Sequence, residues 1–327
     1  MVMGRGVLLA ALTALVVAGT AEAKDTGYIF VSNERDDTVT VVDGKSYEII
    51  KQIPTGRRPR DIHFSPDHTK LFVATSGDDH IEVIDIATLE VVDTVPTGED
   101  PEIFDIDPSG KILVVSNEDD GEATVIDIAS KEVLRVVENV GLEPEGVTFA
   151  PDGKTVYVTS EATNTVAAID PWAGEIVGRV LVGNRPRRGA VLADRHEYWV
   201  TNELGGTVSI VDTQTLEQIG EIRFERRGMR EEDITPVDFA ITSDGKTAYV
   251  TLGRAKHVAR VDVATREVTD YLLVGDRVWG AALTKDDKVL VVTNGGSDDI
   301  TVIDAEAFRP ITSVATGRTP HTARIDD

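Results

Sequence analysis

The stretch YVTSEATNTVAAID (157–170) contains two short β-branched runs that are separated by a polar turn, and it ends in Asp. The pattern occurs in six further copies: FVSNERDDTVTVVD (30–43), FVATSGDDHIEVID (72–85), VVSNEDDGEATVID (114–127), WVTNELGGTVSIVD (199–212), YVTLGRAKHVARVD (249–262) and VVTNGGSDDITVID (291–304). The closing Asp therefore stands at 43, 85, 127, 170, 212, 262 and 304. A period of about 40–45 residues with short strands indicates radially repeated four-stranded sheets rather than helical repeats.

Each repeat predicts four antiparallel strands. A turn such as Ala150-Pro151-Asp152-Gly153 precedes the quoted stretch, and a fourth strand follows near residues 175–181. Helical periodicity is absent from residue 24 onward. The chain begins with a second strand (28–32) and ends with a first strand (321–325), so we expect the last segment to complete the first sheet and close the ring. The predicted fold is an all-β, seven-bladed β-propeller.

Composition excludes several classes of function. The 327 residues include 57 Asp and Glu against 33 Lys and Arg, which gives a formal net charge of −24. Such acidity argues against nucleic acid as a partner, because phosphates require a basic surface. The chain has no Cys, which excludes disulfides, thiolate nucleophiles and Cys-ligated metals.

The N-terminal segment resembles an export signal. Arg5 precedes an apolar run at residues 7–18, and Ala21-Glu22-Ala23 has the small-x-small pattern of a cleavage site. We expect residues 1–23 to be a signal peptide that is cleaved after Ala23, and residues 24–327 to form one propeller domain in the periplasm. No membrane span is then expected after cleavage. The alternative is an N-terminal membrane anchor.

The repeat resembles the YVTN family of seven-bladed β-propellers. WVTN (199–202) and VVTN (291–294) are the nearest copies of its tetrapeptide. VGDRVWG (274–280), followed by TNGGSDD (293–299), is similar to motifs of the periplasmic propellers associated with PQQ-dependent alcohol catabolism. That narrower resemblance implies a place near quinoprotein dehydrogenases and their cytochrome c acceptors.

The residue after the Pro that opens each first strand is expected to point toward the mouth of the central channel. Its charge varies strongly from blade to blade, which indicates a ligand pocket, although loop charges that drift and pair with one another would give the same pattern. The candidate pocket residues are Arg60, Glu102, Glu145, Arg187, Val237, Trp279 and His321, with the neighbours Asp61, Arg188 and Asp238.

A second set of candidates follows the second strands. Glu34, Glu118, Glu161 and Glu203 occupy one repeat position and are expected to share one face. Three interpretations stay open: an acidic surface that docks a cationic protein such as a cytochrome c or a quinoprotein dehydrogenase, a Ca²⁺ site, or a solvated acidic rim.

The single irregular step in the repeat comes from an insertion at residues 225–236. Its Arg226, Arg227 and Arg230 form a basic island in an acidic chain. The insertion is expected either to cover the channel mouth and hold an anionic ligand or to be a tolerated surface loop with internally paired charges. His63 lies deeper on an inner strand. With Glu102 or Glu145, His63 and His321 could form an acid–base pair or a metal site.

The favoured functional interpretation is a non-catalytic, exported binding protein that is accessory to periplasmic PQQ-dependent alcohol oxidation, with no catalytic residue or metal ligand assigned. One alternative is a lactonase-like hydrolase that uses the mouth carboxylates and His321. Another is a binder of PQQ or a related anionic cofactor, with Trp279 stacking on the cofactor and Arg60, Arg187 or Arg188 meeting its carboxylates.

Overall fold

The computed structural model describes residues 25–327. The predicted signal peptide, residues 1–23, lies outside the described residues. The predicted propeller, residues 24–327, is described except for residue 24. Twenty-eight strands form seven four-stranded antiparallel sheets. Short 3-10 turns at Ser76–Asp78, Ala193–Arg195 and Glu231–Asp233 complete the secondary structure of the described chain. None of its helical segments is long and apolar enough to cross a membrane.

In blades 2 to 7 the strands follow one another along the chain from the inside of the blade to the outside. In blade 1 the innermost strand is β28, the last strand of the chain. Blade 1 contains β1 (Tyr28–Asn33), β2 (Thr38–Asp43), β3 (Ile49–Pro54) and β28 (Pro320–Asp326); blade 2 contains β4 (Pro59–Phe64), β5 (Lys70–Thr75), β6 (His80–Asp85) and β7 (Glu90–Pro96); blade 3 contains β8 (Pro101–Ile106), β9 (Ile112–Asn117), β10 (Glu122–Asp127) and β11 (Val133–Val137); blade 4 contains β12 (Pro144–Phe149), β13 (Val156–Ser160), β14 (Thr165–Asp170) and β15 (Glu175–Leu181); blade 5 contains β16 (Pro186–Leu192), β17 (Glu197–Asn202), β18 (Thr207–Asp212) and β19 (Gln218–Arg223); blade 6 contains β20 (Pro236–Ile241), β21 (Thr247–Leu252), β22 (His257–Asp262) and β23 (Glu267–Leu273); blade 7 contains β24 (Val278–Leu283), β25 (Val289–Asn294), β26 (Asp299–Asp304) and β27 (Arg309–Ala315).

The ring closes as the sequence predicts. The last strand, β28, pairs antiparallel with β1, and Ile325 lies opposite Ile29. The seven inner strands contact one another in ring order around a central channel. Closure leaves no unpaired inner edge. The predicted seven-bladed fold is therefore confirmed.

Both faces of the middle strands are buried because neighbouring blades stack on them. In β9 all six residues are buried, and Trp199 of β17 packs with Phe239 and Val250 of the next blade. This stacking explains why the second and third strands have nearly continuous apolar runs rather than strict alternation.

The Ser or Thr in the repeated motif joins six of the seven blades to the next one. Its hydroxyl donates a hydrogen bond to the carbonyl of the channel-mouth residue at the start of the following inner strand. In blade 2 the motif position is Ala74, and Ser76, two residues further on, donates to the carbonyl of Pro101 instead. The six pairs are Ser32–Arg60, Ser116–Glu145, Thr159–Arg187, Thr201–Val237, Thr251–Trp279 and Thr293–His321. These bonds fix the backbone of the residues that surround the channel mouth.

The Asp that closes each third strand has the structural use that the sequence predicts. Asp212, for example, accepts backbone hydrogen bonds from Gln214 and Thr215, each at 2.8 Å. The other six make the same type of bond to their own turns. These residues hold turns at the periphery and are not part of a site.

Candidate functional site

The channel contains two cavities, one at each end. We call the cavity at the start of the inner strands the mouth cavity. It has a volume of about 240 Å³, and a dense set of charged side chains lines it together with Trp279. The cavity in the second half of the inner strands, the lower cavity, has a volume of about 350 Å³. Of the predicted pocket residues, Arg60, Glu145, Arg187 and Trp279 line the mouth cavity, and Arg188 and Asp238 line the lower cavity. The charged residues of the mouth cavity are Glu34, Arg35, Arg60, Glu118, Glu145, Arg185, Arg187, Glu203 and Arg277.

One ion-pair cluster of the mouth cavity is built by blades 1 to 3. Arg60 pairs with the fully buried Glu102 and lies 3.5 Å from Glu34. The Arg58 guanidinium lies 3.7 Å from the Glu102 carboxylate, 3.9 Å from that of Glu34 and 3.3 Å from that of Asp100. Burial raises the pKa of Glu102 well above its usual range, although Arg60 opposes the shift.

A second cluster is built by blades 4 and 5. Arg187 pairs with Glu161 and lies 3.0 Å from Glu145, and Arg185 contacts Glu161 at 2.6 Å and Glu203 at 3.0 Å. Burial raises the pKa of Glu161 to about 7, with Glu145 adding to the rise and Arg187 opposing it. The carboxyl of Glu161 therefore changes its protonation state near neutral pH.

Glu118 differs from these paired carboxylates. It lines the mouth cavity, is half-buried, and makes no ion pair within 4 Å among residues 25–327. Burial is the largest cause that raises its pKa, and the nearby charge of Glu145 adds to it. An unpaired carboxyl of this kind is suited to accept and return a proton.

Two groups of three carboxylates have oxygens within 4.8 Å of one another and could hold a cation. They are Asp100, Glu102 and Glu118, and Glu118, Glu143 and Glu161. Carboxylate oxygens are the ligands that Ca²⁺ prefers. The Ca²⁺ site suggested by the sequence nevertheless stays a prediction, since acidic groups often lie this close without an ion.

Trp279 forms an aromatic wall of the mouth cavity. The Arg277 guanidinium lies 4.6 Å from its ring centroid and the Arg60 guanidinium 6.0 Å, both within the range of cation–π contacts. His321 meets the Trp279 ring edge-on at 4.8 Å. Its Nδ1 lies 3.0 Å from Thr322 Oγ1, and no carboxylate is its ion-pair partner among the described residues. Burial and nearby arginines lower the pKa of His321 well below its usual range.

Several expectations about these residues are therefore wrong. His321 forms no acid–base pair with Glu102 or Glu145, because both carboxylates face arginines instead. The four repeated glutamates are not a solvated rim: Glu161 is only 3% exposed, and Glu34, Glu161 and Glu203 contact arginines. Glu34, Glu118 and Glu203 line the mouth cavity, and docking of a cationic protein on this face stays a prediction.

The insertion at residues 225–236 does not cover the mouth cavity. Arg226 and Arg227 line a separate surface cavity with Met229 and Phe224. Arg230 pairs within the insertion, at 2.8 Å from Asp233 and 3.5 Å from Glu232. The interpretation with internally paired charges fits Arg230.

Asp61, Arg188 and Asp238 lie deeper than the sequence suggests. Arg188 crosses the channel to Asp61, with 3.1 Å between Nη1 and Oδ1, and its Nη2 donates to Thr322 at 2.8 Å. Arg188 and Asp238 line the lower cavity and not the mouth cavity. The β-bulge just after each opening Pro accounts for this error, because adjacent residues at the bulge point to different depths.

Sequence reasoning missed Arg58, Arg185 and Arg277. Each precedes the first residue of an inner strand and has a positive φ, between 54° and 57°. The same conformation recurs at Asp100, Glu143 and Thr319, which also precede inner strands, so it belongs to the repeated turn. The recurrence of Arg before Pro59, Pro186 and Val278 was the signal available in the sequence.

Comparisons with known proteins give two partial family matches. Residues 20–145 match the model of the lactonase family, described as a 7-bladed beta-propeller. Residues 106–237 match the model of the cytochrome D1 heme domain. Each match covers less than half of the chain. No curated protein matches the sequence.

Solved structures with the same fold are distant in sequence. A hydrazine synthase structure from Kuenenia stuttgartiensis is 19% identical, with a TM-score of 0.78 over 90% of this chain and 99% of that one. The structure of the dihydro-heme d1 dehydrogenase NirN in complex with DHE is 17% identical, with a TM-score of 0.70 over 93% and 76%. A structure assigned as a 6-phosphogluconolactonase from Bacteroides fragilis is 19% identical, with a TM-score of 0.77 over 93% and 99%. At these identities the likeness shows the fold alone.

These matches overturn the favoured functional interpretation. The two family models describe lactonases and a haem domain. The interpretation as a non-catalytic accessory of PQQ-dependent alcohol oxidation is therefore wrong. The comparisons favour the lactonase-like alternative.

Proposed function

We propose that the protein is a hydrolase of small lactones and that the mouth cavity is its active site. The observation that carries this proposal is the half-buried, unpaired Glu118 beside the guanidinium groups that line the same cavity. The partial lactonase match supports it, because residues 20–145 contribute Glu34, Arg60, Glu118 and Glu145 to that cavity.

Lactone hydrolysis needs a base and a cationic or hydrogen-bonding group for the oxyanion. In the proposed reaction Glu118 removes a proton from a water molecule that attacks the lactone carbonyl carbon. Negative charge then develops on the carbonyl oxygen, which Arg60 or Arg187 stabilises. The carbon–ring oxygen bond breaks, and protonated Glu118 returns its proton to the leaving oxygen. The product is a hydroxy acid.

The dimensions of the cavity favour a small ring. Small-molecule sites usually have volumes of about 300–1,000 Å³, and the mouth cavity is slightly below this range at about 240 Å³. Trp279 offers one flat apolar surface against which a five- or six-membered ring can lie. The arginines can donate hydrogen bonds to a substrate that carries hydroxyl groups or a negative charge.

A panel of lactones tests the proposal. Wild-type protein, Glu118→Gln and the exposed control Glu132→Gln are assayed by acid release against δ-gluconolactone and γ-butyrolactone. The wild type and the control are expected to hydrolyse at least one lactone at the same rate, and Glu118→Gln to lose about 100-fold or more, the usual contribution of a general base. Hydrolysis that is unchanged in Glu118→Gln would contradict the assignment of the base.

The partial match to a cytochrome D1 heme domain supports a second candidate, which is binding of an anionic macrocycle through the mouth arginines. The volume of the mouth cavity argues against it, because a macrocycle would have to lie mostly outside. A titration with haemin, followed by absorbance, tests it: an unchanged spectrum rejects this candidate.

Membership of the YVTN type is supported by the repeated motif and by the bonds of its Ser or Thr residues. Export to the periplasm rests on the sequence of residues 1–23 and stays part of the proposal. Binding of PQQ stays a prediction from the sequence.

A further inference from the structure

The lower cavity takes no part in the proposed hydrolysis. It lies in the second half of the inner strands, and Arg188 with its partners Asp61 and Thr322 crosses the channel above it. The side chains of His63, Asp105 and Arg324 there are each 23% exposed, so solvent reaches them. The channel thus contains a second, separate chamber.

One side of this chamber is polar. Arg324, His63 and Asp105 come from three successive blades and occupy the same repeat position, because each pairs with the first residue of a repeated motif. Their side chains line the cavity together. A purely structural repeat gives no reason for three different charged or titratable groups at one position.

The other side is apolar and has small side chains. The same repeat position is Ala190, Ala240 and Ala282 in three successive blades, and the last two line the cavity with Leu283 and Ile241. Small residues here create the volume of about 350 Å³. The chamber therefore presents polar groups to one end of a ligand and an apolar wall to the rest.

The carboxylates of the chamber already accept hydrogen bonds. Each oxygen of Asp105 accepts one backbone N–H, from Ile106 and from Phe149. Each oxygen of Asp238 likewise accepts one, from Phe239 and Ala281. Both residues thereby join their inner strand to the next blade, and each of their oxygens already has one donor within the protein.

Asp61 is committed in the same way. Its Oδ1 accepts from Arg188 at 3.1 Å, and its Oδ2 lies 3.0 Å from His63 Nε2. These partners, with Arg188 the largest favourable one, hold the pKa of Asp61 far below its usual range despite burial. The acceptors of the chamber are thus satisfied by the protein itself.

The donors are not. Arg324 Nη1 donates to the carbonyl of Ala323 at 3.0 Å, and Nη2 lies 3.2 Å from His63 Nε2 and 3.6 Å from Asp61 Oδ1. A guanidinium has five N–H donors, so several remain for a ligand. His63 Nδ1 is 3.8 Å from Asp105 and has no hydrogen-bond partner among the described residues; in the tautomer whose Nε2 accepts from Arg324, Nδ1 carries the proton and is a donor. The chamber therefore has free N–H donors on Arg324 and His63 that a ligand can use.

We propose that the lower cavity binds a small monocarboxylate, with its carboxylate on Arg324 and His63 and its apolar group against Ala240 and Ala282. A planar guanidinium accepts a carboxylate through two parallel hydrogen bonds. A cavity of this volume accommodates one aromatic ring or a short alkyl chain. This site is independent of the proposed lactonase reaction.

Isothermal titration with three ligands of one shape tests the proposal: benzoate, benzyl alcohol and benzylamine. Benzoate is expected to bind the wild type, and the other two are expected to bind at least tenfold more weakly. Arg324→Gln is expected to weaken benzoate binding tenfold or more, the effect of losing a charged hydrogen bond. Arg277→Gln removes the same charge from the mouth cavity and is expected to leave benzoate binding unchanged.

Ala240→Leu provides a second test that changes no charge. It fills the apolar wall and is expected to abolish benzoate binding, and it decides the question if Arg324→Gln does not fold. No benzoate binding by the wild type overturns the proposal. Equal binding by a folded Arg324→Gln, equal losses in Arg324→Gln and Arg277→Gln, or preferential binding of benzylamine would each overturn it as well.

Discussion

Replacing Thr159 by valine removes the hydroxyl that joins blades 4 and 5 beneath the channel mouth. This hydroxyl donates to the carbonyl of Arg187 at 2.6 Å and accepts from the N–H of Gly146 at 2.7 Å. Thr159 is fully buried, so water cannot replace either bond. Valine has nearly the same shape, and the change therefore isolates the two hydrogen bonds.

The expected loss follows from the two backbone groups that would be left buried without a partner. Each costs about 1–3 kcal/mol, which gives a decrease of about 2–6 kcal/mol in the free energy of unfolding. Unfolding entropy is about 2.1 cal/mol/K per residue. Across residues 25–327, the melting temperature should then fall by about 3–9 °C.

Differential scanning calorimetry of the wild type, Thr159→Val and Thr159→Ser measures this effect. The serine variant retains the hydroxyl and should melt within about 2 °C of the wild type, because only a methyl group is lost. A valine variant that melts at the wild-type temperature would refute the role assigned to the repeated Ser and Thr residues.

Three further perturbations test other parts of the structure. Burial raises the pKa of Glu161 to about 7. The stability that this residue contributes is therefore present below the ordinary glutamate pKa and is lost as pH rises toward 7. The wild-type melting temperature should fall more between pH 5 and pH 8 than that of Glu161→Gln, and parallel pH profiles would refute this. Removal of residues 320–327 deletes β28 and exposes the β1 edge; circular dichroism and size-exclusion chromatography should show an unfolded or aggregated protein, and a monomer with an unchanged melting curve would contradict the closure. Gly183→Ala places a Cβ 2.5 Å from Asn202 Cγ; the melting temperature should fall by a few degrees, corresponding to about 1–3 kcal/mol of overpacking, and an unchanged melting curve would show that Asn202 moves freely.

The fold could be predicted from the sequence because it is repeated seven times. The spacing of the closing Asp residues set the number of blades, and the out-of-phase termini indicated that β28 completes blade 1. The Ser or Thr of each motif was visible as a pattern, but its bond to the next blade was not. That bond joins residues whose contact depends on how two sheets stack.

The candidate site was predicted less well. The sequence identified the inner-strand positions such as Arg60 and Glu145, yet it could not show that the repeated Glu161 would reach Arg187. Asp61 was assigned to the mouth, although it lies beside the lower cavity, because a β-bulge is not evident in the sequence. Arg185 was overlooked because it lies outside the repeat position that was compared.

The mutual arrangement of charges explains these errors. Sequence position gives the blade and the height of a residue along the channel, but ion pairs form between blades. Whether a carboxylate such as Glu118 stays unpaired depends on the reach of arginines on its neighbours. Only the assembled ring shows that Glu118 is free while Glu102 and Glu161 are paired.

We propose that Glu118 acts as a base in lactone hydrolysis within the mouth cavity. The most direct measurement is the pH dependence of kcat/KM for the lactone that the wild type hydrolyses best. Because burial and Glu145 raise the pKa of Glu118, activity should rise with pH through an apparent pKa above that of an ordinary glutamate, and Glu118→Gln should lack this rise. The same pH profile in the wild type and in Glu118→Gln would contradict the claim.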